Sequence, residues 1–196
     1  MQRDHFPSTQ ATTMQVLLAS GPEGRARLCA AVMDRYRGPL LAYARGSSLR
    51  QSEDPEELVH AYFATRLAQP DFFDRWRQSG LSFRRWLMNG LHFCAHERRR
   101  AAGRLRGRES GDDALGDRRS PASETAAERA FERALAVRVI EACVHGVQQS
   151  FAARGLEHHY RAFWKRSVDG RSYAEIAAET GMPIRELNSA VRSVTA

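Results

Sequence analysis

The stretch Phe83-Arg84-Arg85-Trp86-Leu87-Met88-Asn89-Gly90-Leu91-His92-Phe93-Cys94-Ala95-His96-Glu97-Arg98-Arg99-Arg100 decides the fold class of this chain. Its apolar residues do not alternate. Phe83, Leu87, Leu91 and Cys94 recur three or four positions apart, which puts them on one face of a helix running from about Leu81 to Leu105. The same spacing appears upstream in Leu28, Val32, Tyr36, Leu40 and Tyr43, then in Leu58, Tyr62 or Phe63, and Leu67. It returns downstream in Phe131, Leu135, Val139 and Ala142. No segment sustains the period-two pattern of a strand. The expectation is an all-α protein.

The same stretch holds the charge. The chain of 196 residues has 30 Lys+Arg against 23 Asp+Glu, a net charge of +7, and Lys165 is its single lysine. Between Arg84 and Arg108 lie eight arginines and one acid, Glu97, so that segment accounts for the whole net charge. A codon-biased genome explains arginine over lysine but not the clustering. A localised positive patch points to a polyanion, nucleic acid first.

Composition excludes several classes. No apolar run approaches the roughly 20 residues of a membrane-spanning helix, and Val16-Leu17-Leu18-Ala19 is too short for a signal-peptide core. The expected location is the cytoplasm. Cys29, Cys94 and Cys143 are far apart and odd in number, which argues against a disulfide framework or a zinc ribbon. No glycine-rich phosphate loop, nucleophile elbow or pair of inward carboxylates is present. The expectation is a protein that is not an enzyme, with no cofactor and no metal.

Punctuation divides the chain. A short helix from Ser8 to Ala19 precedes Gly21-Pro22, and Pro39 is expected to kink or interrupt the helix that follows. Ser52-Glu53-Asp54-Pro55-Glu56-Glu57 places acids in the first turn of the next helix, where they suit the helix dipole, and that helix stops at Pro70. Residues 107–127, rich in Gly, Ser, Asp and Pro, read as a linker. Beyond it a long helical pattern resumes, with Gly146 and Gly155 as weak points, and a further helix covers Glu157 to Val168.

Near the C-terminus, Ser172-Tyr173-Ala174-Glu175 is a capping box. The helix it opens turns Ile176 and Ala177 inward and ends at Gly181, and Pro183 suits the first turn of the next helix. There Ile184, Leu187 and Val191 form an expected buried stripe, leaving Arg185, Glu186, Asn188, Ser189 and Arg192 outward. Small residues at Ala177 and Gly181 let two helices cross closely, the geometry of a helix-turn-helix. In that reading Asn188 and the arginines reach base edges or phosphates.

On the basic helix, Trp86, Phe93 and Arg100 form a second stripe beside Asn89 and His96. Aromatics among arginines suit single-stranded DNA, with rings stacking on bases while guanidinium groups hold phosphates. Trp86 by itself reads as core. Arg98, Arg99 and Arg100, followed by Arg104 and Arg106, read as phosphate-binding. His92 and His96 have the spacing of two metal ligands on a helix, but no third ligand is placed by sequence.

Together these segments resemble a known family, the bacterial extracytoplasmic-function sigma factors, promoter-specificity subunits of RNA polymerase. Asp54-Pro55-Glu56-Glu57-Leu58-Val59-His60-Ala61-Tyr62-Phe63-Ala64-Thr65-Arg66-Leu67 is similar to the family's D-x-E-D-L-x-Q-x-x-F-x-x-L helix, which docks on the polymerase clamp, with His60 at the usual Gln position. Phe83-Arg84-Arg85-Trp86-Leu87 with Glu97-Arg98-Arg99-Arg100 is similar to the F-R-x-W-L…R-R-R segment that opens the minus-ten element. Ser172-Tyr173-Ala174-Glu175-Ile176-Ala177 with Gly181-Met182 is similar to the helix-turn-helix that reads the minus-thirty-five element. Phe6-Pro7-Ser8-Thr9-Gln10 resembles the opening of a Planctomycete-type subgroup.

The resemblance implies an N-terminal segment (1–22), a polymerase-binding and promoter-melting domain (23–106), the linker (107–127) and a helix-turn-helix domain (128–196). It implies core RNA polymerase as a partner through Asp54, Glu56, Glu57, Leu58, Phe63, Arg66 and Leu67. It implies promoter DNA at Arg84, Arg85, Asn89, Phe93, His96, Arg98, Arg99, Arg100, Arg104 and Arg106, and upstream duplex at Ser172, Arg185, Asn188, Ser189 and Arg192. A regulator acting in trans, an anti-sigma factor or a kinase, would complete the set. With Arg185 and Arg192 as its outward cations, the upstream element is the weaker half. The alternatives are a stand-alone helix-turn-helix regulator, a sigma-like paralogue that binds polymerase without reading a promoter, and a metal enzyme built on His92, His96 and a cysteine.

Overall fold

The structure, a computed structural model, describes residues 8–51, 53–105 and 121–195. Every regular element among them is helical: α1 (Ser8–Ala19), α2 (Gly21–Gly46), a 3-10 turn (Ser48–Gln51), α3 (Pro55–Tyr62) running into a π turn (Phe63–Leu67), α4 (Phe72–Ser79), α5 (Phe83–Leu105), α6 (Pro121–Ala153), α7 (Glu157–Ser167), α8 (Tyr173–Thr180) and α9 (Ile184–Thr195). The all-α expectation holds for these residues. The chain divides into two compact units between Arg138 and Val139.

In the first unit, α5 is the central element. Phe83, Leu87, Leu91 and Cys94 are all buried, as their spacing requires, and Met88 and Ala95 widen the stripe. Around Phe83 gathers an aromatic cluster, with Tyr36 at 5.4 Å and Trp76 at 4.8 Å between ring centroids and Phe73 stacked at 6.3 Å. α4, which carries Phe72, Phe73 and Trp76, is absent from the sequence expectation. It is only eight residues long, too short for a periodic signal, and ends on Gly80 with φ 68°.

Two differences concern α2 and α3. α2 passes through Pro39 unbroken. A proline inside a helix costs about 3 kcal/mol, but Tyr36, Leu40, Leu41 and Tyr43 beside it are all buried. Each contributes about 1.5–3 kcal/mol, so packing outweighs the lost bond. In α3 the π turn adds a residue to the helical repeat. Tyr62 and Phe63, at the junction with that turn, are both buried.

The boundary between units also differs. Residues 107–120 of the expected linker lie outside the described residues, but 121–127 are helical, opening α6. Pro121 stands at the first position of the helix, where proline needs no hydrogen-bond partner. Ala127 and Phe131 are fully buried in the first core, and Leu135 packs against it. Gly46 makes this possible, since a Cβ there would stand 3.1 Å from Cα of Ala127. The first half of α6 therefore belongs to the first unit, as does α1 through Met14, Leu17 and Leu18. Ala142, expected inward, is exposed.

The second unit has a smaller core of Ala162, Ile176, Leu187, Ala190 and Val191, with Phe163, Tyr173, Ala177 and Met182 against it. α9 packs on α7 and α8. Ser172 caps α8, accepting from the Glu175 N–H at 3.2 Å, while the Glu175 carboxylate accepts from the Ser172 N–H at 2.7 Å. Gly181 closes that helix with φ 70°. Ile184 departs from the expected stripe. It is 50% exposed at the first residue of α9, while Ala190 is wholly buried.

No helix among the described residues is long and apolar enough to cross a membrane.

Candidate nucleic-acid interface

α3 with its π turn, the segment 69–75 and α5 enclose a pocket of about 300 Å³. Tyr62 and Arg66 supply one side, Gln69, Phe72 and Arg75 a second, and Trp86, Asn89, Gly90 and Phe93 the third. Two polar atoms distinguish it. Tyr62 Oη and Trp86 Nε1 are sealed from solvent and have no hydrogen-bond partner. A buried donor left unmade costs about 1–3 kcal/mol, and the chain supplies neither of these two with an acceptor. Burial also pushes the Tyr62 phenol above its ordinary range, keeping it protonated and able to donate.

Gly90 is what seats Tyr62. A Cβ on Gly90 would stand 2.5 Å from Tyr62 Oη and 3.0 Å from its Cζ. At the mouth, Phe93 is 68% exposed, an aromatic ring held in water by a well-packed helix. Trp86, read from sequence as core, packs against the core and also lines this pocket. Asn89 is half-buried in the wall, and His96 is exposed one helical turn beyond Phe93.

The arginines fall into two groups. Four of the candidates meet carboxylates: Arg84 with Glu132 at 2.9 Å, Arg85 with Glu128, Arg98 with Glu53, and Arg66 with Glu97. Arg99, Arg100 and Arg104 are exposed toward the far end of α5. Arg66, Arg98, Arg100 and Arg104 line an open groove with Thr65, alongside the pocket. Arg106 lies outside the described residues.

The acids opposing Arg84 and Arg85 come from α6. Glu124, Glu128 and Glu132 are spaced four apart and face α2 and α5. Glu124 accepts from Tyr43 Oη and stands 3.7 Å from His92 Nε2, while Tyr43 Oη and His92 Nε2 are 2.8 Å apart. His92 is therefore a buried structural residue. His96 is exposed, and no group of three metal-ligating side chains occurs among the described residues. Cys94 is buried, and burial pushes its thiol up, which favours the neutral form over a ligating thiolate.

Of the residues expected to meet polymerase, Leu58, Phe63 and Leu67 are core, with Leu58 wholly buried. Their part is to hold α3 in place, and they offer a partner no surface. Asp54 caps α3, accepting from the N–H groups of Glu56 and Glu57 at 2.9 and 3.1 Å. Glu56 is exposed and pairs with Arg45 at 2.9 Å; Glu57 is exposed beside it.

In the second unit, Ser172 is occupied as the cap of α8. Arg185 and Ser189 are exposed on α9, Asn188 is half-buried, and Arg192 is exposed with Nε 3.5 Å from the Asn188 carbonyl oxygen. The neighbouring Ser193 receives a 2.9 Å contact from His159 Nδ1 on α7. Sequence reading missed Tyr62 as a pocket residue, because a tyrosine on an apolar helical stripe carries no mark of an unmet hydrogen bond.

No family model, curated protein or solved structure matches the chain.

Proposed function

We propose that the protein is a sigma factor, directing core RNA polymerase to promoters and opening promoter DNA. The observation that carries this reading is the pocket under Phe93, with its two orphan donors beside the exposed arginines of α5. A base unstacked from duplex DNA fits between the aromatic walls of Tyr62 and Trp86, whose sealed donors it meets only as those walls part, and Phe93 gives the neighbouring base a stacking surface. Arg99, Arg100 and Arg104 then hold strand phosphates, with Arg106 following them in sequence. Opening is driven by capture of bases and phosphates, with no covalent step. The acidic rim of Asp54, Glu56 and Glu57 on α3 is the polymerase-facing surface. α8 and α9 act as the helix-turn-helix, presenting Arg185, Asn188, Ser189 and Arg192 to upstream duplex. A regulator acting in trans, an anti-sigma factor or a kinase, controls access.

Purified protein mixed with core polymerase and promoter fragments is expected to give run-off transcripts, and tagged protein is expected to retain the polymerase subunits. Absence of both ends the reading. The pairing of Arg84, Arg85 and Arg98 with carboxylates favours a second reading, a sigma-like protein that binds polymerase without opening promoters. It predicts retention of core with no run-off product.

A further inference from the structure

Arg25 stands near the start of α2, outside every motif the sequence singles out. Its guanidinium crosses to the end of the π turn and donates to the carbonyl oxygens of Gln69 and Pro70. It also lies over the ring of Phe73, 5.7 Å from the centroid. One turn later on the same face of α2, Cys29 Sγ reaches the Leu67 carbonyl oxygen at 3.7 Å. The Gln69 carbonyl oxygen also accepts from the Phe72 N–H at 3.2 Å, and a planar fork of donors matches two adjacent carbonyls where an ammonium meets one. The π turn itself is closed by Ala68, whose N–H donates to the Arg66 carbonyl oxygen, so Arg25 ties the turn that follows it to α2.

What it ties down is the pocket wall. Gln69, Phe72 and Arg75 form that side, and Gln69 Oε1 accepts from Arg75 at 3.2 Å. Phe72 and Phe73 fix the far end of the segment in the core. The near end, at Gln69 and Pro70, is exposed or half-exposed and is tied to α2 through Arg25.

We infer that Arg25 is a positioning residue for the pocket, setting the separation between the 69–72 wall and α5 and, with it, the preference for an unstacked base over a bare sugar-phosphate strand. The inference rests on the nucleic-acid reading of the pocket. Arg25 acts through the wall: one N–H of each terminal nitrogen is held by the chain's own carbonyls.

The test uses the full chain and single-stranded oligonucleotides of a minus-ten sequence, intact or with one base at a time removed. Wild type is expected to favour the intact strand over one particular abasic strand by about tenfold, the size of a single stacking contact. R25M is expected to reduce that preference at least fivefold while binding the abasic strand within twofold of wild type. R25K, keeping the charge but not the fork, is expected to fall between them. R25M with the wild-type preference overturns the inference, and so does R25M weakened equally toward both strands, the mark of general loosening. If R25M does not fold, R25K decides: an unchanged preference overturns the inference. A wild type that binds every abasic strand like the intact one overturns the pocket reading itself, and the inference with it.

Discussion

At the scale of single residues, Gly90 carries the most consequence. It occupies the middle of α5, where alanine is better than glycine by about 1 kcal/mol of helix propensity. A Cβ at that place, however, meets Tyr62 Oη at 2.5 Å, and the ring, 1% exposed, must shift to admit it. Overpacking of this kind costs about 1–3 kcal/mol, so steric cost exceeds propensity gain. Gly90→Ala is expected to lower stability by about 1 kcal/mol in chemical denaturation and to shift Trp86 emission, since that indole lines the same pocket. Gly90→Ala should also reduce single-strand binding with Arg99, Arg100 and Arg104 untouched. An ordinary helix glycine behaves oppositely and gains stability on substitution. The phenol and the glycine stand 28 positions apart in the chain, so neither residue alone advertises the pair.

At the scale of elements, two caps separate what was legible from what was not. The capping box at Ser172 and Glu175 and the turn at Gly181 are visible in the sequence because capping is local, involving residues three apart. Ser172→Ala is expected to cost about 1 kcal/mol, seen as faster amide exchange in α8. The Ser172 hydroxyl and N–H bonds hold the Glu175 carboxyl below its ordinary value of 4.5, and Lys165 with Arg171 does the same for Glu179. A carboxyl depressed by folding stabilises the fold above its unfolded value and loses that contribution as pH falls through the folded one. α8 is therefore expected to loosen below about pH 4.5, while α5 keeps its exchange protection, which a pH series of amide exchange checks. The cap at Asp54 changes how the polymerase rim is tested. Asp54→Ala removes two N–H acceptors and about 1 kcal/mol of α3, confusing lost contact with lost helix. Glu57→Ala leaves the cap intact and is expected to weaken retention of core polymerase while sparing binding to single-stranded DNA. α4, the inward turn of both Tyr62 and Phe63, and the burial of α6 in the first core were not legible. Each depends on packing between segments that no local period records.

At the scale of the whole molecule, the question is where a net charge of +7 acts. The sequence locates it between Arg84 and Arg108, which suggests one continuous basic surface. The fold divides that surface. Glu128 and Glu132 of α6 lie against Arg85 and Arg84, and Glu53 and Glu97 meet Arg98 and Arg66. Arg99, Arg100 and Arg104 are exposed beyond these pairs, Arg100 and Arg104 along the groove that shares Arg66 with the pocket. The α6 pairs are partly exposed, with side chains 30–53% accessible, so each is worth about 0–1 kcal/mol of stability. Their effect on DNA is larger, because each guanidinium released from a carboxylate becomes available to a phosphate. The double variant Glu128→Gln, Glu132→Gln is expected to stay folded, held by Phe131 and by Glu124 against Tyr43 and His92. It should bind single-stranded DNA more tightly at low salt. The slope of log affinity against log salt should steepen by about 0.7 for each arginine that reaches a phosphate. Selectivity should fall at the same time, since added phosphate contacts carry no sequence information. An unchanged slope means that Arg84 and Arg85 serve the packing of α6 alone and belong outside the nucleic-acid surface.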